Sequence, residues 1–156
     1  MKLLSVHYAF RQKFSVDADR AFRWCVDFEP ADAQLDGSDD RRTVERVTED
    51  TVLLTDVSRR AGSRPVVHVK LVRIEAGQRR WTSTHLQGPN RFSQVWYQVV
   101  ADARGRSHLD FQALLLEPVP HGRRTPSARS LARQLAREGA QAWHLLAKAM
   151  MRDLGE

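Results

Sequence analysis

The sequence predicts an α+β fold: a curved antiparallel sheet of seven strands wrapped around a long C-terminal helix, with two short helices after the first strand. Three observations carry this expectation. The chain opens on a long segment of period two. Six further strand-like runs then follow with only short turns between them, and from Pro126 onward the spacing becomes helical. A sheet that is apolar on one face and a helix that is apolar along one stripe bury both surfaces by packing together.

Each element has a local cause. Leu4, Val6, Tyr8, Phe10, Phe14 and Val16 alternate with Ser5, His7, Arg11, Lys13 and Ser15, the pattern of a half-buried strand. Asp17 reads as an N-cap for a helix carrying Ala21, Phe22, Cys25 and Val26. Pro30 ends that helix and opens a second short one reaching Leu35, after which Asp36–Asp40 is a polar connection. The strand runs are Thr43–Thr48, Thr51–Ser58, Val66–Ile74, Trp81–Leu86, Phe92–Val100 and Leu109–Glu117. Between them lie turn residues such as Gly77-Gln78, Gly88-Pro89-Asn90 and Arg104-Gly105. Connections this short favour an antiparallel meander, because parallel crossovers need a dozen residues or more. Thr125 is placed as the cap of the long helix and Pro126 as its first residue. Its stripe is Leu131, Leu135, Ala142, Trp143, Leu146 and Met150, and Gly139 within it marks a close approach or a bend.

The 156 residues make one domain, 1–156, large enough for a core without metal or disulfide. Hydrophobic residues at 42% and charged residues at 28% are an ordinary globular balance. No apolar run approaches the roughly 18 residues of a membrane span, and MKLLSV leads straight into strand alternation rather than a leader peptide. Cys25 is the single cysteine, so no intrachain disulfide forms and a cytoplasmic location is expected. The net charge of +6 makes polyanionic partners worth testing and equally suits a solvated basic surface.

The element order and two segments carry a family resemblance. In FSVDADRAFRWCVDFEP, Phe14–Pro30, a strand ends, a capped helix begins, and an aspartate and a proline close it. In RWTSTHLQGPNRFSQVWYQV, Arg80–Val99, a Gly-Pro turn separates two strands and Trp96 sits within the second. The chain resembles the START-like superfamily, also called SRPBCC or helix-grip, and within it the polyketide cyclase/dehydrase and coenzyme-Q-binding group. The resemblance implies a cavity between the concave sheet face and the long helix; no cofactor is expected.

Alternation then nominates the lining. Tyr8 and Phe10 on the first strand, Val69 on the fourth, and Phe111, Ala113 and Leu115 on the last are expected inward, facing Trp143 and Leu146 of the helix. Inward tryptophans at Trp81 and Trp96 would bring Ser83, His85, Phe92 and Gln94 with them. Aromatic walls with a few polar groups are what small-molecule recognition usually requires. The same tryptophans equally suit a filled core, and a buried Gln94 needs a partner.

No phosphate loop, nucleophile elbow or metal-ligand spacing is present, and the six histidines are scattered. No metal is expected. His85 is the one catalytic candidate, as the base the cyclase resemblance would need, with Tyr8 or Ser83 beside it. Strand polarity also gathers Arg41, Arg42, Arg59, Arg60, Arg64, Arg91, Arg123 and Arg124 at one end of the sheet, partly offset by Asp36, Asp39 and Asp40. Three functions follow as expectations: a non-catalytic binder or carrier of a lipid, isoprenoid quinone or polyketide-like molecule; an aromatase/cyclase using the same cavity; and an interaction protein whose basic rim meets RNA, the ribosome or an anionic membrane surface.

Overall fold

Period-two alternation produces β1 (Lys2–Phe14), which pairs antiparallel along its whole length with β7 (Ser107–Val119). The coordinates are a computed structural model that describes residues 2–59 and 62–155. Asp17 caps α1 (Ala18–Cys25) as expected, its Oδ1 accepting from the Arg20 N–H at 3.0 Å. Pro30 starts a 3₁₀ turn, Pro30–Gln34. The meander follows as β2 (Arg41–Thr48), β3 (Thr51–Ser58), β4 (Val66–Glu75), β5 (Arg80–Gln87) and β6 (Gln94–Ala101). With β7 these form one seven-stranded sheet in the order β1-β7-β6-β5-β4-β3-β2.

The chain ends in α2 (Ala128–Leu154), 27 residues or about 40 Å at ~1.5 Å per residue. Ser127, not Thr125, caps it: the Ser127 hydroxyl accepts from the Ser130 N–H at 3.3 Å. Proline disfavours helical backbone in the residue before it, which keeps Thr125 extended and moves the helix start past Pro126. The α2 stripe packs chiefly on β1 and on the core below it, with Ala147, Ala149 and Met150 buried. Gly139 is the point of closest approach, where an added Cβ would stand 2.6 Å from Cε1 of Phe10.

Register assigns every strand residue to a face. Tyr8 opposes Ala113 and Phe10 opposes Phe111 across β1–β7, while Tyr97 opposes Phe111 and Val95 opposes Ala113 across β6–β7. These residues face the helix and pack with Trp143 into one apolar cluster. A larger cluster joins Phe14, Val16, Phe22, Val52, Leu54, Val72, Trp81, Val99, Leu109 and Met150. Across β5–β6, Trp81 opposes Tyr97 and Ser83 opposes Val95, while Thr82 opposes Trp96 and Thr84 opposes Gln94. The concave side of β6 is therefore Val95, Tyr97 and Val99. Trp96 and Gln94 lie on the convex side.

Candidate ligand cavity

Beneath the half of the sheet that α2 does not cover lies a cavity of about 230 Å³. Its walls come from four places. The end of α1 and the following turn contribute Trp24, Cys25 and Phe28, and the 3₁₀ turn and its loop contribute Asp32, Leu35, Asp36 and Asp40. The strands supply Arg42, Leu54, Asp56, Lys70, Val72, Trp81, Ser83 and Tyr97, and α2 supplies Trp143 and Leu146. The apolar wall is largely aromatic: Trp81 stacks on Tyr97 with centroids 4.8 Å apart and planes 4° from parallel, and Trp143 tilts against Tyr97 at 6.0 Å.

The floor is charged. Arg42, Asp56 and Lys70 stand on three adjacent strands, since Arg42 opposes Asp56 on β2–β3 and Lys70 lies two residues from the partner of Asp56 on β4. Arg42 donates from Nε and Nη2 to the two Asp56 oxygens at 2.7 and 2.9 Å, and Lys70 Nζ stands 3.5 Å from Oδ2. Burial alone would push the Asp56 carboxyl up. The Arg42 hydrogen bonds and the Lys70 charge outweigh it and hold the group below the usual carboxylate range. Ser83 is 3% exposed, and its hydroxyl has no hydrogen-bond partner among the described residues. Burial, and then the neighbouring Tyr8, push the Tyr97 phenol up, so it keeps its proton at neutral pH. His85 opposes Lys70 on the same face, and burial together with the Lys70 and His68 charges pushes its imidazole down to about 4. The Gly88 turn closes on the His68 ring, where an added Cβ would meet Nδ1 at 2.9 Å.

Four of the expected lining residues border this space: Trp81, Ser83, Trp143 and Leu146. Tyr8, Phe10, Phe111 and Ala113 face inward but are spent on packing beneath α2. Leu115 opposes Val6 on the same face, and His85 lies beside Lys70 outside the lining. Four expectations are corrected. Gln94 and Trp96 point outward, Gln94 donating to Thr84 Oγ1 at 2.5 Å and Trp96 remaining 38% exposed. Val69 points outward because the inner row of β4 is His68, Lys70 and Val72, next to a register shift between Val69 and Lys70. Phe92 precedes β6 in a left-handed conformation, φ 69°, and is 59% exposed.

The basic end is also revised. Pairing of Arg41 with Val57, Ser58 with Val66 and Thr84 with Gln94 places Arg41, Arg59, Arg64, Arg91, Arg123 and Arg124 toward one end of the meander. Arg42 leaves the rim, because alternation turns it inward to Asp56. Arg59 and Arg64 share a groove with Asp39 and Asp40, so the rim is mixed in charge. Arg91 lies over the Phe92 ring at 4.6 Å, and Arg60 lies outside the described residues. Sequence reasoning missed Asp56, Lys70 and Tyr97. The available signal was the period-two row Val52, Leu54, Asp56, which places one carboxylate on an otherwise buried face.

A curved seven-stranded antiparallel sheet, a long C-terminal helix and a cavity between them define a helix-grip fold. Solved structures agree. A protein from Thermus thermophilus superposes with a TM-score of 0.73 at 10% identity, over 94% of this chain and 98% of that one. The Zhui aromatase/cyclase from a Streptomyces species gives 0.72 at 11% identity, over 98% and 96%. Norcoclaurine synthase from Thalictrum flavum, solved with dopamine and hydroxybenzaldehyde, gives 0.67 at 10% identity, over 96% and 88%. At such identities the likeness defines the fold. No family model matches the sequence and no curated protein matches it. Among the described residues no cluster of metal-ligating side chains occurs, and no helix is long and apolar enough to cross a membrane.

Proposed function

We propose that this protein binds a small, largely aromatic molecule in the cavity beneath β2–β6. The observation that carries the reading is the Ser83 hydroxyl, 3% exposed and without a partner in a space walled by Trp24, Phe28, Trp81 and Trp143. Buried polar groups are nearly always satisfied, so an orphan on a residue of the cavity wall favours an occupant. At about 230 Å³ the space is smaller than the roughly 300–1,000 Å³ of drug-sized pockets, which favours one or two rings over a long lipid or isoprenoid chain. Native mass spectrometry of the purified protein, followed by denaturing extraction, tests the reading. A stoichiometric aromatic compound is expected; a co-purifying acyl lipid in its place would overturn it.

An aromatase/cyclase reading uses the same cavity and has one observation of its own. His85, on the same inner face as Ser83, is neutral at physiological pH, the form a general base starts from, although a value near 4 makes it a weak base. It stands outside the lining, so this reading requires turnover of a polyketide substrate that His85→Ala abolishes.

A further inference from the structure

The charged floor narrows the ligand class, an inference that rests on the cavity being a ligand site. Arg42 and Asp56 satisfy each other in a two-bond fork, so their charges cancel. Lys70 is different. Its contact with Asp56, 3.5 Å to Oδ2, is long for a charge-assisted bond and leaves ammonium donors to spare. The Lys70 side chain is 29% exposed, and the space it borders is this cavity. Arg42, Asp56 and Lys70 together leave the floor one positive charge in excess, facing the carboxylates of Asp32, Asp36 and Asp40 in the same lining. The field of Lys70 reaches along the sheet, since it contributes to depressing both His68 and His85.

Strand pairing sets one hydroxyl beside that cation. Lys70 opposes His85 and Val72 opposes Ser83, so Lys70 and Ser83 are diagonal neighbours on the concave face of β4–β5. Tyr97 lines the same space, its ring stacked on Trp81. We propose that the ligand is an aromatic molecule bearing one anionic oxygen group, a carboxylate or phenolate, seated on Lys70 and Ser83 with its ring against Trp81, Tyr97 and Trp143. The competing arrangement is an amine drawn to Asp32, Asp36 and Asp40 on the far wall. Two of those carboxylates are tied to their own loop, Asp32 Oδ2 accepting from Glu29 N at 2.7 Å and Asp36 Oδ1 from Ser38 N at 3.1 Å.

Three probes of one shape separate the possibilities: 2-naphthoate, 2-naphthamide and 2-naphthylmethylamine, titrated calorimetrically into the full chain at pH 7. Naphthoate binds at least tenfold more tightly than the amide. Lys70→Met removes that difference while amide binding persists, and Ser83→Ala weakens naphthoate severalfold. Thermal melts confirm that each variant is folded. Where Lys70→Met does not fold, Ser83→Ala carries the test: selective loss of naphthoate affinity supports the proposal, and unchanged affinity overturns it. Amide binding as tight as naphthoate, tightest binding by the amine, or a carboxylate preference that survives Lys70→Met overturns the anion proposal and leaves the cavity reading in place. No binding by any probe at millimolar concentration overturns both.

Discussion

Replacing Gly139 with alanine sets two opposed effects against each other, and the structure decides the sign. In an exposed helix interior the change would stabilise by about 1 kcal/mol. Here the new Cβ would lie 2.6 Å from Cε1 and 3.2 Å from Cζ of Phe10. The ring has little room to retreat, because it stacks on Phe111 with centroids 4.3 Å apart, and Phe111 is held edge-on by Tyr97 at 5.3 Å. Overpacking of this kind costs about 1–3 kcal/mol. The net expectation is a loss of about 1 kcal/mol, or roughly 2–4 °C in Tm for a chain of this length. Trp143 lies one turn further along α2 and lines the cavity, so lifting the helix also weakens ligand binding. Urea denaturation of Gly139→Ala, Phe10→Leu and the double variant measures the coupling. In the Phe10→Leu background the alanine becomes stabilising. A Gly139→Ala protein more stable than wild type, or strictly additive effects in the double variant, would refute the steric argument.

Two further outcomes follow from the charged floor. Asp56→Ala leaves Arg42, whose side chain is 14% exposed, without its partner. The expected cost is about 3 kcal/mol, the low end for breaking a buried pair because the cavity admits water, and Asp56→Ala/Arg42→Met recovers most of it in urea melts. Since the Asp56 carboxyl is held below its usual range, its stabilisation is present above about pH 4 and lost as pH falls through the folded value; the double variant loses that acid sensitivity. The His85 imidazole, ordinarily near 6.5 and here about 4, favours folding fully above pH 6.5 and progressively less as pH falls toward 4. Its ring resonances in NMR should stay constant from pH 8 to about 5.5. Lys70→Met should move the titration upward, and a midpoint near 6.5 in wild type would contradict the burial assigned to this ring.

Much of the fold was legible because each element announced itself locally. Leu4 to Val16 alternate, Asp17 caps α1, and the turns between strands are too short for anything but a meander. The faces of β5 and β6 were less legible. Trp81, Trp96 and Tyr97 are all large and aromatic, and alternation fixes which residues share a face without saying which face is inside. That is settled by pairing: Trp81 opposes Tyr97, and the two stack at 4.8 Å. The start of the long helix was displaced for a local reason, the extended backbone that Pro126 imposes on Thr125.

The misreading of β4 has a different origin, and it points to function. Alternation normally puts valines inside and lysines outside, because burying an unpaired charge is costly. On β4 the inner row is His68, Lys70 and Val72, while Val67, Val69 and Leu71 turn to the convex side. The opposite end of the sheet obeys the rule, with Val6, Phe10, Phe111 and Val99 inward. The division follows α2, which packs chiefly on β1 and leaves the cavity beneath the other half. Strands that grip the helix need an apolar inner face. Those that border the cavity set Arg42, Asp56, Lys70 and Ser83 inward, where the ion pairs of Asp56 offset only part of the cost of taking these groups from water. Local choices that conflict with the fold concentrate where a protein does its work. Here they concentrate on neighbouring strands around one cavity, which supports the proposed ligand site over a filled core.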